Sequence, residues 1–220
     1  MQREIVITAD GSSTIHLPDW GENYHSSHGA IQESNHVFID KGLSVIENSE
    51  VSILEIGFGT GLNCFLTFLK AKEKSISINY VGIEAFPVTQ EESKHLNYVS
   101  ELNVNDELPV FEMLHQISWE EKHQISDTFF LEKRKQFFKD IDAVDQFDLV
   151  YFDAFGAEYQ PELWTVDIFK TMFKAMKQNG VLVTYCAKGS VRRAMQEVGF
   201  SVERLEGPPG KREMLRAKKL

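Results

Sequence analysis

The stretch that most constrains this chain runs from Val51 to Asn63, with the sequence VSILEIGFGTGLN. Its first five residues are mostly apolar and partly β-branched, which predicts a buried strand. Three glycines follow, Gly57, Gly59 and Gly61, and a helical pattern begins after them. Such a turn brings backbone N–H groups close to a ligand, because side chains there would hold the ligand away. The stretch predicts an α/β fold with a ligand at this turn, and an ordinary tight turn is the alternative.

The composition is that of a soluble globular protein. The chain has 220 residues, of which 42% are hydrophobic and 25% charged, which predicts one domain with a full core. It contains no apolar run long enough to span a bilayer and no signal-peptide pattern at its N-terminus. The two cysteines, Cys64 and Cys186, fall in predicted core elements and lack metal-ligand spacing. We therefore expect a cytoplasmic protein with no membrane segment and no metal.

Charge is distributed unevenly along the chain. Residues 170–220 contain 12 Lys and Arg against 4 Asp and Glu, a net charge of +8, whereas residues 1–169 carry −18. A basic segment on an acidic body is explained either by solvated helix faces or by a site for an anionic partner. The sequence leaves both explanations open.

Acidic residues follow three predicted strands. Glu84 ends a strand over 76–83 and lies 23 residues after Gly61, where an acid can accept hydrogen bonds from both ribose hydroxyls of a nucleoside cofactor. Glu132 follows a predicted strand over 126–131, with a helix expected over 133–141, and Asp153 follows an almost wholly apolar strand. Because ligands bind at the carboxyl ends of strands in such sheets, these acids indicate one site.

The remaining pattern is βα repeated, with short strand pairs at the two ends of the chain. Asp10-Gly11 predicts an N-terminal β-hairpin, and Gly207-Pro208-Pro209-Gly210 a rigid turn between the last two strands. This predicts a seven-stranded, mainly parallel sheet with a terminal antiparallel strand, a layout that resembles class I S-adenosylmethionine-dependent methyltransferases, which are Rossmann-like. Dinucleotide enzymes share the glycine turn, but Leu62 stands where their third glycine is expected.

Specific segments resemble one family, the methyltransferase part of the bifunctional bacterial MnmC enzymes. The resemblance extends almost end to end and is carried by five segments: YHSSHGAIQESNHVFI (24–39), LEIGFGTGLN (54–63), GIEAFP (82–87), YFDAFGAEYQPELW (151–164) and GSVRRAMQEVGFSVERLEGPPGKREM (189–214). It implies N-methylation, from S-adenosylmethionine, of the 5-aminomethyl group on the wobble uridine of tRNA. It also implies an anticodon stem-loop partner. The family's flavin domain lies outside this sequence, so we expect the aminomethyl substrate to come from elsewhere, such as a separate flavoprotein.

The resemblance also implies a division of the chain and roles for its residues. Residues 1–45 would cover the cofactor site and residues 46–220 would form the Rossmann-like core of a single methyltransferase domain. Asp153 and Phe155 would be catalytic. The cofactor would be bound by Tyr24, Ser26, Glu55, Gly57, Gly59, Thr60, Gly61, Asn63, Glu84, Glu132 and Asp153. The tRNA phosphates would be bound by Lys188, Arg192, Arg193, Lys211 and Arg212.

Other functions stay open on the sequence alone. The acidic body fits a small-molecule amine methyltransferase or an aminopropyl transferase, which would act on polyamines and not on RNA. A non-catalytic module that binds the methyl donor or RNA is a further alternative. The role of Asp153 is also open, because a carboxylate can either take a proton from the substrate ammonium or only orient it.

Overall fold

The computed structural model describes residues 2–220 and is built around one eight-stranded sheet. Its spatial order is β10-β11-β9-β8-β4-β5-β7-β6. The strands are β4 (Glu50–Ile56), β5 (Ser77–Ile83), β6 (Lys122–Ser126), β7 (Phe129–Arg134), β8 (Phe147–Phe152), β9 (Met176–Thr184), β10 (Phe200–Glu206) and β11 (Glu213–Lys219). The five from β9 to β7 are parallel, and β11 is inserted antiparallel between β9 and β10. This confirms the predicted methyltransferase-like sheet, with β6 as one additional strand.

Helices cover both faces of the sheet. They are α1 (Ala30–Ser34), which continues as a π-helical segment (Asn35–Asp40), α2 (Leu62–Lys74), α3 (Gln90–Ser93), α4 (Tyr98–Glu101), α5 (Leu108–Gln116), α6 (Val166–Ala175) and α7 (Gly189–Val198). Alternate residues of the central strands enter two separate cores, because side chains of a strand point to opposite faces. In β4, Val51 and Ile53 pack with α2 and α5, whereas Leu54 and Ile56 pack with α6 and α7. Both faces are therefore buried, as a parallel sheet requires.

The N-terminal segment forms a small sheet of its own. Strands β1 (Glu4–Ile7), β2 (Ser13–Leu17) and β3 (Glu22–Asn23) pair antiparallel in that order. The predicted hairpin is present, and Ile15 and Leu17 are fully buried in the same core as α2. This packing brings the loop that follows β3 to the carboxyl ends of the central strands.

The region from 120 to 141 differs from the sequence prediction. A β6–β7 hairpin replaces the single predicted strand, and only a short 3-10 turn, Phe138–Asp140, occurs where a helix over 133–141 was expected. The prediction was wrong because Lys133 was assigned to a polar helix. Its side chain is instead buried in β7, where the ammonium lies 4.9 Å from the centre of the Trp119 ring. Strand β7 therefore extends to Arg134, and Glu132 does not end it.

Within residues 2–220, no helix has the length and apolar character needed to cross a membrane.

Candidate active site

A cavity of about 1140 Å³ opens at the carboxyl ends of β4, β5 and β8. Neighbouring strands β4 and β8 leave the sheet here towards opposite faces, because α2 follows one and α6 follows the other. Ligands of open α/β sheets bind in the crevice at such a switch point. The glycine turn forms one side of the crevice and the loop that begins at Asp153 forms another.

The glycine turn takes a backbone conformation that other residues rarely adopt. Gly57, Gly59 and Gly61 have φ angles of +89°, +51° and +73°. A Cβ atom on Gly57 would lie 2.6 Å from the carbonyl oxygen of Asp153, so glycine is needed there for the two loops to approach. The turn is fixed by the N–H groups of Gly57 and Phe58, which both donate to the carbonyl oxygen of Ile83 at 3.0 Å.

Glu84 lies where the sequence predicts it, directly after β5 and on the cavity wall. Its Oε2 accepts a hydrogen bond from the N–H of Gly59 at 3.1 Å, and its Oε1 accepts one from the N–H of Phe86 at 2.9 Å. These bonds hold the carboxylate at the cavity edge. An ionised carboxylate has further lone pairs, so it can still accept hydrogen bonds from a diol.

Asn63 joins two carboxyl groups at the bottom of the cavity. Its Nδ2 donates to Oε1 of Glu55 at 3.0 Å and to Oδ2 of Asp153 at 2.8 Å. Burial, and to a smaller extent the charge of Glu33, raises the pKa of Asp153 to about 7 against the opposing effects of Asn63 and Lys211. Burial also raises the pKa of Glu55 well above its usual range. A raised pKa favours the neutral form of Glu55, and a neutral partner lets the two carboxyl groups share one amide with less repulsion.

Aromatic rings form part of the cavity wall. The ring of Phe155 lies edge-on to Tyr24 and Trp20, with centroid distances of 5.0 and 5.4 Å. The guanidinium of Arg3 lies 5.8 Å from the centre of the Tyr24 ring and donates to the carbonyl oxygens of Phe86 and Pro87. Arg3 therefore ties the N-terminal sheet to the loop after β5, across the cavity.

The loop after β8 is held by two aromatic residues that the sequence analysis did not assign to the site. The indole N–H of Trp164 donates to the carbonyl oxygen of Phe155 at 2.8 Å, and the hydroxyl of Tyr185 donates to that of Ala154, also at 2.8 Å. These bonds fix the backbone on both sides of Phe155. Trp164 lay within a family-like segment, but nothing in the sequence at the end of β9 signals the role of Tyr185, the residue that follows this strand.

Most residues predicted to bind a cofactor line the cavity. The lining includes Tyr24, Gly57, Gly59, Thr60, Asn63, Glu84, Asp153 and Phe155. Gly61 and Glu55 are not part of this lining, since Gly61 is the residue that precedes α2 and Glu55 is fully buried. Ser26 lies away from the cavity, and its N–H donates to Glu33 at 2.8 Å. His25, which the prediction omitted, is in the lining, and burial lowers its pKa to about 4.

Glu132 does not lie where the sequence analysis expected it. It sits within β7, and its Oε1 accepts a hydrogen bond from Nε of Arg134 at 2.6 Å. The residues that line the cavity beyond this strand are Lys135, Phe137, Phe138 and Lys139. The prediction ended the strand at residue 131, whereas β7 continues to Arg134, so it placed Glu132 at a strand end where it does not lie.

The basic residues of the C-terminal segment have different surroundings. Arg193 and Arg212 are exposed, and Lys188 is exposed but pairs with Glu158 at 2.7 Å. Arg192 is half-buried, and its Nε has no hydrogen-bond partner within residues 2–220. Lys211 is turned inwards and forms an ion pair with the buried carboxylate of Glu33.

The cavity fits the methyl donor that the sequence predicts. Its volume exceeds that of a nucleoside cofactor, and Glu84 presents a carboxylate for ribose hydroxyls. The buried Oδ1 of Asn63 has no hydrogen-bond partner among residues 2–220 and suits the amino group of the donor's methionine part. No three His, Cys, Asp or Glu side chains in the same range are placed to hold a metal ion.

Comparison with known proteins agrees with this fit. A family model described as S-adenosyl-L-methionine-dependent methyltransferase matches residues 97–220. The bifunctional protein MnmC, named for tRNA 5-methylaminomethyl-2-thiouridine biosynthesis, is 26% identical over 218 residues in Burkholderia multivorans and 28% identical over 222 residues in Delftia acidovorans. The alignments cover 92% and 93% of this chain but 33% of each relative. The chain thus spans about a third of the length of these curated relatives.

Solved structures of known proteins also resemble this chain in fold. The crystal structure of MnmC2 from Aquifex aeolicus superposes with a TM-score of 0.79 at 26% identity, covering 100% of this chain and 70% of that one. Spermidine synthase from Thermotoga maritima has a TM-score of 0.56 at 14% identity, covering 95% of this chain and 69% of that one, and shares the fold alone. Because the family model matches more than half of the sequence and the cavity fits its cofactor, the chain belongs to the S-adenosyl-L-methionine-dependent methyltransferases.

Proposed function

We propose that this protein transfers a methyl group from S-adenosylmethionine to the 5-aminomethyl group of the wobble uridine in tRNA, giving 5-methylaminomethyl-(2-thio)uridine. The similarity to MnmC and MnmC2 proteins along almost the whole chain supports this substrate. A separate flavoprotein that produces the aminomethyl group remains a prediction of the resemblance.

The observation that carries the proposal is the Asp153 carboxyl group beside the glycine turn. Asn63 holds Oδ2 of this residue at 2.8 Å and leaves Oδ1 for a substrate. A pKa near 7 makes the carboxylate a stronger base than an ordinary aspartate, while much of it is still ionised at neutral pH. An amine substrate needs such a group, because an alkyl ammonium has no lone pair with which to attack.

The residues of the site have complementary roles in this reaction. When bound, the cofactor supplies an electrophilic methyl group on its sulfonium. Asp153 orients the substrate ammonium and accepts its proton, which frees the nitrogen lone pair. Phe155 and Tyr24 exclude water and offer ring faces to the base or to a cation. Glu84 holds the ribose of the cofactor, so that donor and amine meet in one orientation.

RNA binding is assigned to the exposed basic residues of the C-terminal segment. Among the five basic residues predicted to bind RNA, Arg193 and Arg212 are exposed and form no ion pair with an acid of residues 2–220, unlike Lys188. Arginine pairs with phosphate oxygens in a bidentate geometry, and each such contact contributes to affinity independently of base sequence. The acidic remainder of the molecule would repel RNA, so RNA would approach the protein from the side that carries these residues.

The test is mass spectrometry of wobble nucleosides after incubating undermodified tRNA with the protein and methyl donor. We expect the gain of one methyl group on 5-aminomethyl-2-thiouridine, and loss of that product with Asp153→Asn. Spermidine and putrescine are offered in parallel reactions. Methylation of these amines, with no methylated nucleoside, would contradict the proposal and favour a small-molecule amine methyltransferase.

A further inference from the structure

The turn between β10 and β11 packs against the N-terminal segment over the site. Gly210 has a φ of +84°, and any Cβ on it would clash with the imidazole of His28. The turn is closed by the N–H of Lys211, which donates to the carbonyl oxygen of Pro208 at 2.9 Å, and by that of Gly207, which donates to Arg212 at 3.2 Å. The two ends of the chain thus meet here, and the backbone of Lys211 is fixed.

The side chain of Lys211 is held inside this junction. Its ammonium lies 3.9 Å from the centre of the Tyr185 ring and pairs with Glu33 of α1. The side chain of Glu33 is only 8% exposed, against 31% for Lys211, so the pair is largely removed from water. The pair of Lys188 with Glu158 differs mainly in its acid, because the side chain of Glu158 is 70% exposed and that of Glu33 is buried.

One partner of Lys211 contacts the Asp153 loop directly, and the other contacts the segment whose Tyr24 packs on Phe155 of that loop. Tyr185 donates its hydroxyl hydrogen to the carbonyl oxygen of Ala154 at 2.8 Å, immediately after Asp153. Glu33 accepts a hydrogen bond at 2.8 Å from Ser26, in the segment that also contains Tyr24. The titratable groups around the Asp153 carboxyl come from four parts of the fold, and they are Glu33 of α1, Glu55 of β4, Tyr185 directly after β9 and Lys211 of the last turn.

We propose that the Lys211–Glu33 ion pair is a positioning device for Asp153, which balances the charge around that carboxyl group and holds its loop through Tyr185, and that Lys211 is not an RNA-phosphate contact. The inference rests on the proposed function, since it gives Asp153 the role of accepting the substrate's proton. It replaces the role that the sequence resemblance assigned to Lys211. The remaining four basic residues of that set are unaffected.

If the ion pair balances the charge near Asp153, removing Lys211 and removing Glu33 should change the pKa of Asp153 in opposite directions. Lys211→Met leaves the Glu33 carboxylate unopposed near Asp153, which disfavours a second negative charge and raises the pKa of Asp153. Glu33→Gln leaves the ammonium unopposed and lowers that pKa. We expect the pKa of Asp153 to rise by about one in Lys211→Met and to fall by about one in Glu33→Gln, because one uncompensated neighbouring charge commonly has an effect of this size. The double variant should return close to the wild-type value, and Lys211→Arg should preserve it.

Carboxyl-carbon NMR of the whole protein, labelled with ¹³C-aspartate, measures this pKa without substrate or donor. The Asp153 signal is identified by its loss in Asp153→Asn. Lys70→Met, which removes a half-exposed lysine paired with Glu73 on α2, is the matched control and should leave the signal unchanged. Thermal unfolding of each variant checks that it is folded. If Lys211→Met does not fold, Glu33→Gln and Lys211→Arg still test whether the ion pair influences the pKa of Asp153.

The pH dependence of kcat on tRNA gives the second readout. The acid limb should move to higher pH in Lys211→Met and to lower pH in Glu33→Gln, with the KM for tRNA nearly unchanged. An unmoved Asp153 pKa in both variants overturns the inference, and so does a weaker RNA affinity with a smaller salt dependence in Lys211→Met. If wild-type protein methylates no nucleoside, the proposed function fails, while the NMR titration still decides the charge balance.

Discussion

Asn63 determines much of the chemistry of the site with a single amide group. By donating to both Glu55 and Asp153 it places one oxygen of each acid, and its own carbonyl oxygen has no hydrogen-bond partner among the described residues 2–220. Buried acids without full compensation are costly, and they cluster where a protein needs a perturbed pKa. Asp153 therefore lowers the stability of the folded chain in exchange for a basic carboxylate.

Asp153→Asn should stabilise the donor-free protein in a pH-dependent way. The pKa of Asp153 is raised from 3.8 to about 7, so between these values the folded state binds a proton that the unfolded chain has released. Wild-type stability must then fall as the pH rises through this window, because the unfolded state binds fewer protons. The stability gain of the variant should be small near pH 4, grow to about pH 7 and stay level above it. Urea unfolding between pH 4 and 8.5 measures this, and a gain independent of pH would contradict it.

Glu84→Gln should weaken binding of S-adenosylmethionine by about 10- to 100-fold, because charge-assisted hydrogen bonds contribute about 1.5–3 kcal/mol. Glutamine has one accepting oxygen in place of two, so the N–H of either Gly59 or Phe86 also loses its acceptor. Isothermal titration calorimetry measures the affinity. Glu132→Gln is the matched control, since that acid pairs with Arg134 in β7 and should leave donor affinity unchanged. Equal losses in both variants would restore the original assignment of Glu132.

At the scale of elements, the glycine turn after β4 packs closely against the loop that follows β8. Gly57→Ala would force a Cβ at φ +89° and place it 2.6 Å from the Asp153 carbonyl oxygen. Backbone strain of this kind costs about 1–3 kcal/mol, so the variant should be less stable and bind the donor more weakly. Gly189→Ala is the control, because its Cβ meets only the flexible end of Arg193 at 3.2 Å in α7. Chemical denaturation that showed no difference between the two would contradict the role of Gly57.

The sequence predicts elements well where the hydrophobic pattern agrees with their environment. The central strands and α2 follow the apolar runs, and Gly199 ends α7 with a φ of +113° as glycine commonly does. The prediction was wrong between 126 and 141, because a buried lysine on the core face of β7 cannot be distinguished from a helix-surface lysine by pattern alone. The error placed Glu132 among the expected cofactor-binding residues.

At the scale of the whole molecule, the two ends of the chain close the site. The N-terminal sheet contributes Arg3, Trp20 and Tyr24 to the cavity, and the turn before β11 brings Lys211 to Glu33. The sequence predicted Tyr24 and the basic turn from a family resemblance, but it could not predict which basic residues face inwards. That depends on contacts between residues 178 positions apart, such as Lys211 with Glu33, which no local pattern encodes.

RNA affinity should depend steeply on salt through the outward-facing arginines. Each phosphate contact contributes about one unit to the slope of log K against log salt concentration, because binding releases condensed counterions. Arg193→Ala with Arg212→Ala should reduce this slope by about two and weaken binding most at low salt. Fluorescence anisotropy with a labelled anticodon stem-loop, titrated from 50 to 200 mM salt, measures it.

The matched control for this slope is Lys70→Ala with Lys72→Ala, which removes the same charge from α2, where both lysines pair with acids. It should leave the slope unchanged. If both double variants lower the affinity equally, binding follows net charge and no defined surface exists. We expect the slope to fall in Arg193→Ala with Arg212→Ala and to stay at the wild-type value in Lys211→Met. The exposed arginines of the basic segment would then bind RNA, while Lys211 faces inwards and positions Asp153.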